Sequence, residues 1–225
     1  MTFSITARCE KTGMLGVAVS TARPAVGSLV PFVKAGVGAV ATQALVNPFY
    51  GIDGLKLLAE ELSVDEIIER LTKDDSHSER RQCAIVDKNG KAAAFTGAET
   101  VPWQGHLIGD QFVVAGNMLT GPETLEAMFE TFQALENVSL PERLMAALSS
   151  GQEAGGDKRG RQSAALYVVH EEEYPLVDIR VDEHADPVKE LFRVYEKCQE
   201  NLFPYTINLV KRKEGQDYDA SVVRG

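Results

Sequence analysis

Cysteine is scarce in this chain: its 225 residues include three, Cys9, Cys83 and Cys198, far apart and odd in number. That usage excludes a disulfide framework and suits a reducing compartment. Cys83 falls in the apolar run Gln82-Cys83-Ala84-Ile85-Val86 and reads as buried packing. Histidine is equally sparse. The four residues, His77, His106, His170 and His184, include no pair at metal-ligand spacing, so neither a metal nor a cofactor is expected. No GxSxG elbow, Walker loop or dinucleotide fingerprint occurs. Basic residues are outnumbered, 23 Lys and Arg against 33 Asp and Glu, and a formal charge of -10 disfavours nucleic acid as a partner. No apolar run approaches the roughly 20 residues that a membrane helix needs. The start reads as a strand, not as a basic segment followed by an apolar one, so no membrane partner or secretory signal is expected. The expected location is the cytoplasm.

What the chain does have is the composition of a globular protein, 44% hydrophobic and 25% charged. Its length suits one domain, expected over residues 1–202, with 203–225 as a C-terminal extension or arm. Residues 2–8 alternate polar and apolar with period two, which predicts a strand with Phe3, Ile5 and Ala7 on one face and Thr2, Ser4 and Thr6 on the other. A glycine-containing loop then leads to a second strand over 14–21, forming a hairpin. A third strand is expected over 36–43, apolar throughout. Residues 48–51 read as a turn before a helix over 55–62. Ser63 and Glu66 form a capping box for a helix over 65–71. A second hairpin spans 82–96 around Asn89-Gly90, and a short strand covers 111–115. Helices over 122–135 and 141–150, strands over 163–169 and 176–181, and a helix over 187–201 complete the chain. Hairpins outnumber βαβ units, so the fold class is α+β with mainly antiparallel sheets. Strands apolar on both faces need cover on both sides, as in two stacked sheets with helices outside.

Thr2 follows the initiator methionine directly. It is small enough for Met1 to be removed by aminopeptidase, leaving a hydroxyl beside a free α-amine. A hydroxyl is a poor nucleophile until a base takes its proton, and an amine on the same residue can be that base. Three further segments carry polar residues where a core is otherwise expected. They are 20–28 with Arg23, 41–48 with Gln43 and Asn47, and the glycine-rich loop Gly155-Gly156-Asp157-Lys158-Arg159-Gly160-Arg161-Gln162-Ser163. Glycines let backbone N–H groups converge on an anion, and arginine adds a planar fork matched to a carboxylate. A solvated charged loop is the alternative reading of that last segment.

Together with Gly116-Asn117-Met118-Leu119-Thr120-Gly121-Pro122, these segments resemble the bacterial and archaeal family catalogued as domain of unknown function 1028, over roughly residues 2–201. The carrying motifs are Thr2-Phe3-Ser4-Ile5, Pro24-Ala25-Val26-Gly27, the 36–43 run and the 155–163 loop. The resemblance implies an Ntn (N-terminal nucleophile) hydrolase-like four-layer αββα sandwich. It also implies Thr2 as nucleophile in amide-bond cleavage. Lys34 lies as far from Thr2 as the active-site lysine of proteasome-type members lies from their threonine, and so becomes a candidate catalytic residue. Gln43 and Asn117 are candidate oxyanion donors. Arg23, Asn47, Asp157, Arg159, Arg161 and Ser163 are candidate substrate-binding residues, for a small-molecule amide bearing an anionic group. Two other readings stay open. One is a catalytically silent binding protein that keeps Met1. The other is an assembly protein forming a homo-oligomer through 203–210 and the tail.

Overall fold

The strand expected at the start forms as β1 (Thr2–Arg8) in the computed structural model, which describes residues 2–206 together with 209 and 211. A turn in which the Gly13 N–H donates to Cys9 O at 2.8 Å returns the chain into β2 (Leu15–Thr21). The strand expected over 36–43 forms as the second of the next two strands, and the first is one that the pattern does not reveal. β3 (Pro31–Lys34) and β4 (Gly38–Ala44) are joined by a turn in which Gly36 takes a left-handed φ of 67°. β3 begins with proline and lies at a sheet edge, where a missing donor is tolerated.

The turn expected at 48–51 is also corrected, because those residues open α1 (Pro48–Ala59). Asn47 caps it by accepting the Phe49 N–H, and Pro48 supplies a favourable first helical position. Gly51 reads as a turn residue but serves close packing: a Cβ there would run into the Phe32 ring. Then come α2 (Val64–Lys73), with the expected Ser63–Glu66 capping box, and the hairpin β5 (Arg81–Asp87) and β6 (Ala92–Thr96). β7 (Gly105–Gly109), which the pattern does not reveal, is short and half exposed; β8 (Phe112–Asn117) follows. The rest is α3 (Glu123–Ala134), α4 (Leu140–Glu153), β9 (Ser163–Val169), β10 (Val177–Val181), α5 (Pro187–Asn201) and α6 (Phe203–Thr206).

The strands form a six-stranded sheet, ordered β10-β9-β2-β1-β8-β7, and a four-stranded sheet, ordered β3-β4-β5-β6, with every pairing antiparallel. Three apolar layers bind them. Val40, Tyr50, Ile67 and Ile85 pack α1 and α2 on the four-stranded sheet. Leu15, Val17, Val19, Ala39, Val86 and Val113 fill the space between the sheets. Phe3, Ile5, Phe112, Leu144, Leu166 and Leu191 join the six-stranded sheet to α3, α4 and α5. The result is the four-layer αββα sandwich, with β1 in the middle of its sheet. Phe203 of α6 rests on Tyr195 of α5, ring centroids 5.5 Å apart. The remainder of the arm expected at 203–225, residues 209 and 211 aside, lies outside the described residues.

Candidate functional site

Period-two alternation turns Phe3, Ile5 and Ala7 toward the helices, so Thr2, Ser4 and Thr6 face the opposite sheet. Thr2 is 6% exposed and its hydroxyl donates to Thr21 Oγ1 at 3.3 Å. Register explains the neighbours. Thr2 is directly opposite Asn117 on β8, and the Phe3–Ser20 pair on β2 brings Thr21 alongside Thr2. Directly opposed residues share a sheet face. Three polar side chains from adjacent strands therefore meet where the inter-sheet layer would otherwise be apolar.

Behind them runs a buried amide network. Ser4 Oγ donates to Gln43 Oε1 at 2.8 Å, and Gln43 Nε2 donates to Gln82 Oε1 at 2.7 Å. Asn117 Nδ2 donates to the same Gln82 oxygen at 3.0 Å. Gln82 Nε2 in turn faces Thr96 Oγ1 (2.9 Å), Gly105 O (3.0 Å) and Gly116 O (2.9 Å). The Thr96 hydroxyl also lies 2.8 Å from His106 Nδ1, which links that ring to the network. Burial lowers the His106 pKa from its ordinary 6.5, which favours the neutral ring. Gln82 thus fixes which way both Gln43 and Asn117 present their amides.

The 155–163 loop closes the same end of the six-stranded sheet. Thr120 N–H donates to Gly156 O, Gly156 N–H donates to Thr124 Oγ1, and a Cβ on Gly156 would meet the Phe3 ring at 3.2 Å. Asp157, 3% exposed, accepts from Ala22 N–H at 2.9 Å, from Arg159 N–H at 2.8 Å and from Arg159 Nη2 at 3.1 Å. The loop is also stitched to Thr21 itself, whose carbonyl accepts the Gln162 N–H at 2.9 Å. Ser163 is fully buried, donating to Arg23 O at 2.6 Å and accepting from Val26 N–H at 3.1 Å. It shapes the turn after β2.

Thr2, Gln43, Asn117, Asp157, Arg159 and Ser163 are thereby gathered at one end of the sandwich. Others of the expected residues are not. Lys34 is exposed at the end of β3, opposite Gly38, while Gln43 is five residues along β4, about 17 Å at ~3.3 Å per residue. Asn47 is committed to capping α1 and donates to Asp75 Oδ2 at 3.3 Å. That carboxylate is held well below its ordinary range, chiefly by Arg81, whose Nε lies 2.9 Å away. Arg23 contributes its backbone carbonyl while its residue is exposed. Arg161 turns to the helical side and pairs with Asp186 at 3.3 Å. Sequence reasoning missed Ser4, Thr21, Gln82, Thr96 and His106. The available signal was polar residues at inward positions of apolar strands. Ser4 shares a strand face with Thr2, and Gln82 opens the run taken as Cys83 packing.

Among the described residues no group of three or more His, Cys, Asp or Glu is placed to hold a metal. No described helix is long and apolar enough to cross a membrane. Met1, whose removal the Thr2 chemistry requires, lies outside the described residues. Residues 2–191 match the model of a family of unknown function, DUF1028. A protein of Silicibacter pomeroyi assigned to the same family model has a crystal structure that matches with a TM-score of 0.84. It is 33% identical, over 91% of this chain and 92% of its own. Anbu (ancestral beta-subunit) from Yersinia bercovieri aligns over 94% of this chain and 99% of its own at 12% identity and a TM-score of 0.39. No curated protein matches the chain.

Proposed function

The chain belongs to the DUF1028 family, and from that membership and the setting of Thr2 we propose that it is an N-terminal-nucleophile amidohydrolase acting on a small amide that carries an anionic group. The observation that carries this reading is a threonine at the head of a central strand, its hydroxyl enclosed by polar groups on the inter-sheet face. After Met1 removal the α-amine takes the hydroxyl proton as Oγ1 attacks the amide carbon. The tetrahedral oxyanion is met by backbone N–H groups assisted by Asn117 or Gln43, each such donor being typically worth about 3 kcal/mol. The amine then returns the proton to the leaving nitrogen, and water hydrolyses the ester left on Thr2. Arg159, anchored by Asp157, supplies the cation for the substrate's anionic group.

A β-lactone probe tests this without knowledge of the substrate. Attack by Thr2 Oγ1 opens the ring, the alkoxide takes the proton, and the protein gains the whole mass of the lactone. The expected result is one adduct mapped to Thr2, absent in Thr2→Ala, partly kept in Thr2→Ser, and absent when Met1 is retained. Full labelling of protein whose Met1 is verified by mass overturns the mechanism. The position of Lys34, away from Gln43, favours a second reading, a metabolite-binding protein with the same pocket and no turnover. Under that reading small anionic amides raise the melting temperature while no adduct forms.

A further inference from the structure

The hydrogen bonds around Gln82 decide which atom of Asn117 faces Thr2. Gly105 O and Gly116 O lie 3.0 and 2.9 Å from Gln82 Nε2. Main-chain carbonyls can only accept, so this pair fixes the Gln82 amide and leaves its Oε1 as the acceptor. Asn117 therefore turns Nδ2 to Gln82, at 3.0 Å. Its Oδ1 points the other way and has no partner among the described residues, although Asn117 is only 1% exposed. Buried acceptors are almost always paired, so this oxygen calls for a donor. Strand order gives its direction. The Gln82 amide sits over the β7–β8 pair, to which both carbonyls belong, so Oδ1 is turned toward β1 and Thr2. The main chain brings the donor. Arg8 N–H donates to Gln111 O at 2.9 Å, and N–H groups alternate sides along a strand, so the Thr2 nitrogen also faces β8. Its paired residue there is Asn117, whose main-chain carbonyl stands opposite it.

We propose that Asn117 is a positioning residue for the base: once Met1 is removed, its main-chain O and its Oδ1 each take one hydrogen of the Thr2 α-amine. This role rests on the reading of that amine as the base. A neutral amine has two hydrogens and one lone pair. With both hydrogens held by Asn117, the lone pair is left for the Thr2 hydroxyl, whose proton it must accept. Gln82 takes only one of the two Nδ2 hydrogens, so the other stays available to the oxyanion. An ammonium donates more strongly than an amine, so the same two oxygens raise the α-amine pKa. The charged side chains of the loop over this end are Asp157, Lys158 and Arg159, and Arg23 after β2 is exposed. The strands carry the uncharged Thr21, Gln43, Gln82 and Asn117 there, while Arg81 is paired with Asp75 on the opposite face of its sheet.

Competitive labelling of the α-amine tests it, on the full chain beginning at Thr2 with that terminus verified by mass. Trace acetic anhydride acylates only the unprotonated amine, so the midpoint of labelling against pH reads its pKa. Asn117→Leu is expected to lower that midpoint by about 1–2 pH units, the effect of losing one hydrogen bond to a charged group. Asn117→Asp puts a carboxylate in the same place and is expected to raise it by about 1 unit or more. Gln82→Leu frees the Asn117 amide to turn over and lowers the midpoint, in the same sense as Asn117→Leu. If Asn117→Leu does not fold, the opposite signs in Asn117→Asp and Gln82→Leu carry the test. Unmoved midpoints, or shifts of one sign in both Asn117 variants, overturn the proposal. A merely structural role gives the second result, because opening the site returns the amine toward its ordinary range of about 7.7–8.0. Midpoints that move as expected, with no β-lactone adduct on Thr2, sink the nucleophile and keep Asn117 on the amine. An adduct with unmoved midpoints sinks the role of Asn117 alone.

Discussion

Replacing Gln82 with leucine separates a buried hub from a merely packed residue. The side chain is fully buried and accepts from Gln43 Nε2 and Asn117 Nδ2 while facing the Gly116 carbonyl with its own amide. Leucine fills similar volume but leaves those two donors and that carbonyl without their partner. Each unsatisfied buried group costs about 1–3 kcal/mol, so the three sum to about 3–9 kcal/mol before the site relaxes, and relaxation leaves about 3–6 kcal/mol of that. Burying leucine in place of an amide offsets about 1–2 kcal/mol. The expected net loss is about 2–4 kcal/mol. With a urea m-value of about 2 kcal/mol/M, the unfolding midpoint by circular dichroism drops about 1–2 M at unchanged slope. Pairing it with Asn117→Leu supplies the control. If orphaned donors cause the loss, removing one of them makes the double variant more stable than the sum of the single losses predicts. A Gln82→Leu loss below about 1 kcal/mol, or strict additivity with Asn117→Leu, refutes the hub.

Two further perturbations probe the same end of the sandwich. Asp157→Ala removes the acceptor of Ala22 N–H and Arg159, and is expected to cost about 2–3 kcal/mol, since one donor is charged. Hydrogen exchange at the Ala22 amide should speed markedly; unchanged protection would show that Asp157 does not hold that turn. His106 gives a pH dependence with a definite sign. Burial lowers its folded pKa below 6.5, so on acidification the unfolded chain takes up the proton first. Stability therefore falls as pH drops through about 6.5 toward the folded pKa. Urea midpoints between about pH 7 and about pH 5 should decline less steeply for His106→Asn than for the parent, and parallel slopes would exclude the ring as a contributor.

The sequence alone was enough wherever structure is decided by residues close in the chain. Alternation of Phe3, Ile5 and Ala7 with polar neighbours defines β1 and its two faces, Ser63 with Glu66 defines the start of α2, and Asn89-Gly90 defines a hairpin. Short elements at sheet edges escaped, because β3 and β7 have too few residues and too much exposure for a periodic signal. The hydroxyl of Thr2 was legible as a candidate from its place behind Met1. Its neighbours were not, because they are set by strand order and register. Thr21 and Asn117 come beside it only because β2 and β8 flank β1. Gln82 lies directly opposite Gln43 within the four-stranded sheet, and it reaches Asn117 only because that sheet stacks on the other at that depth. Linear spacing placed Lys34 near Thr2, yet the Gly36 turn ends β3 and carries the lysine into solvent. Arg161 follows the same logic: its loop marked it for the anion beside Thr2, and the path from α4 to β9 delivers it to Asp186 on the other face of the sheet. Local chain statistics determine which segments become strands and helices. Only the closure of distant pairs decides which polar groups face one another across the layers.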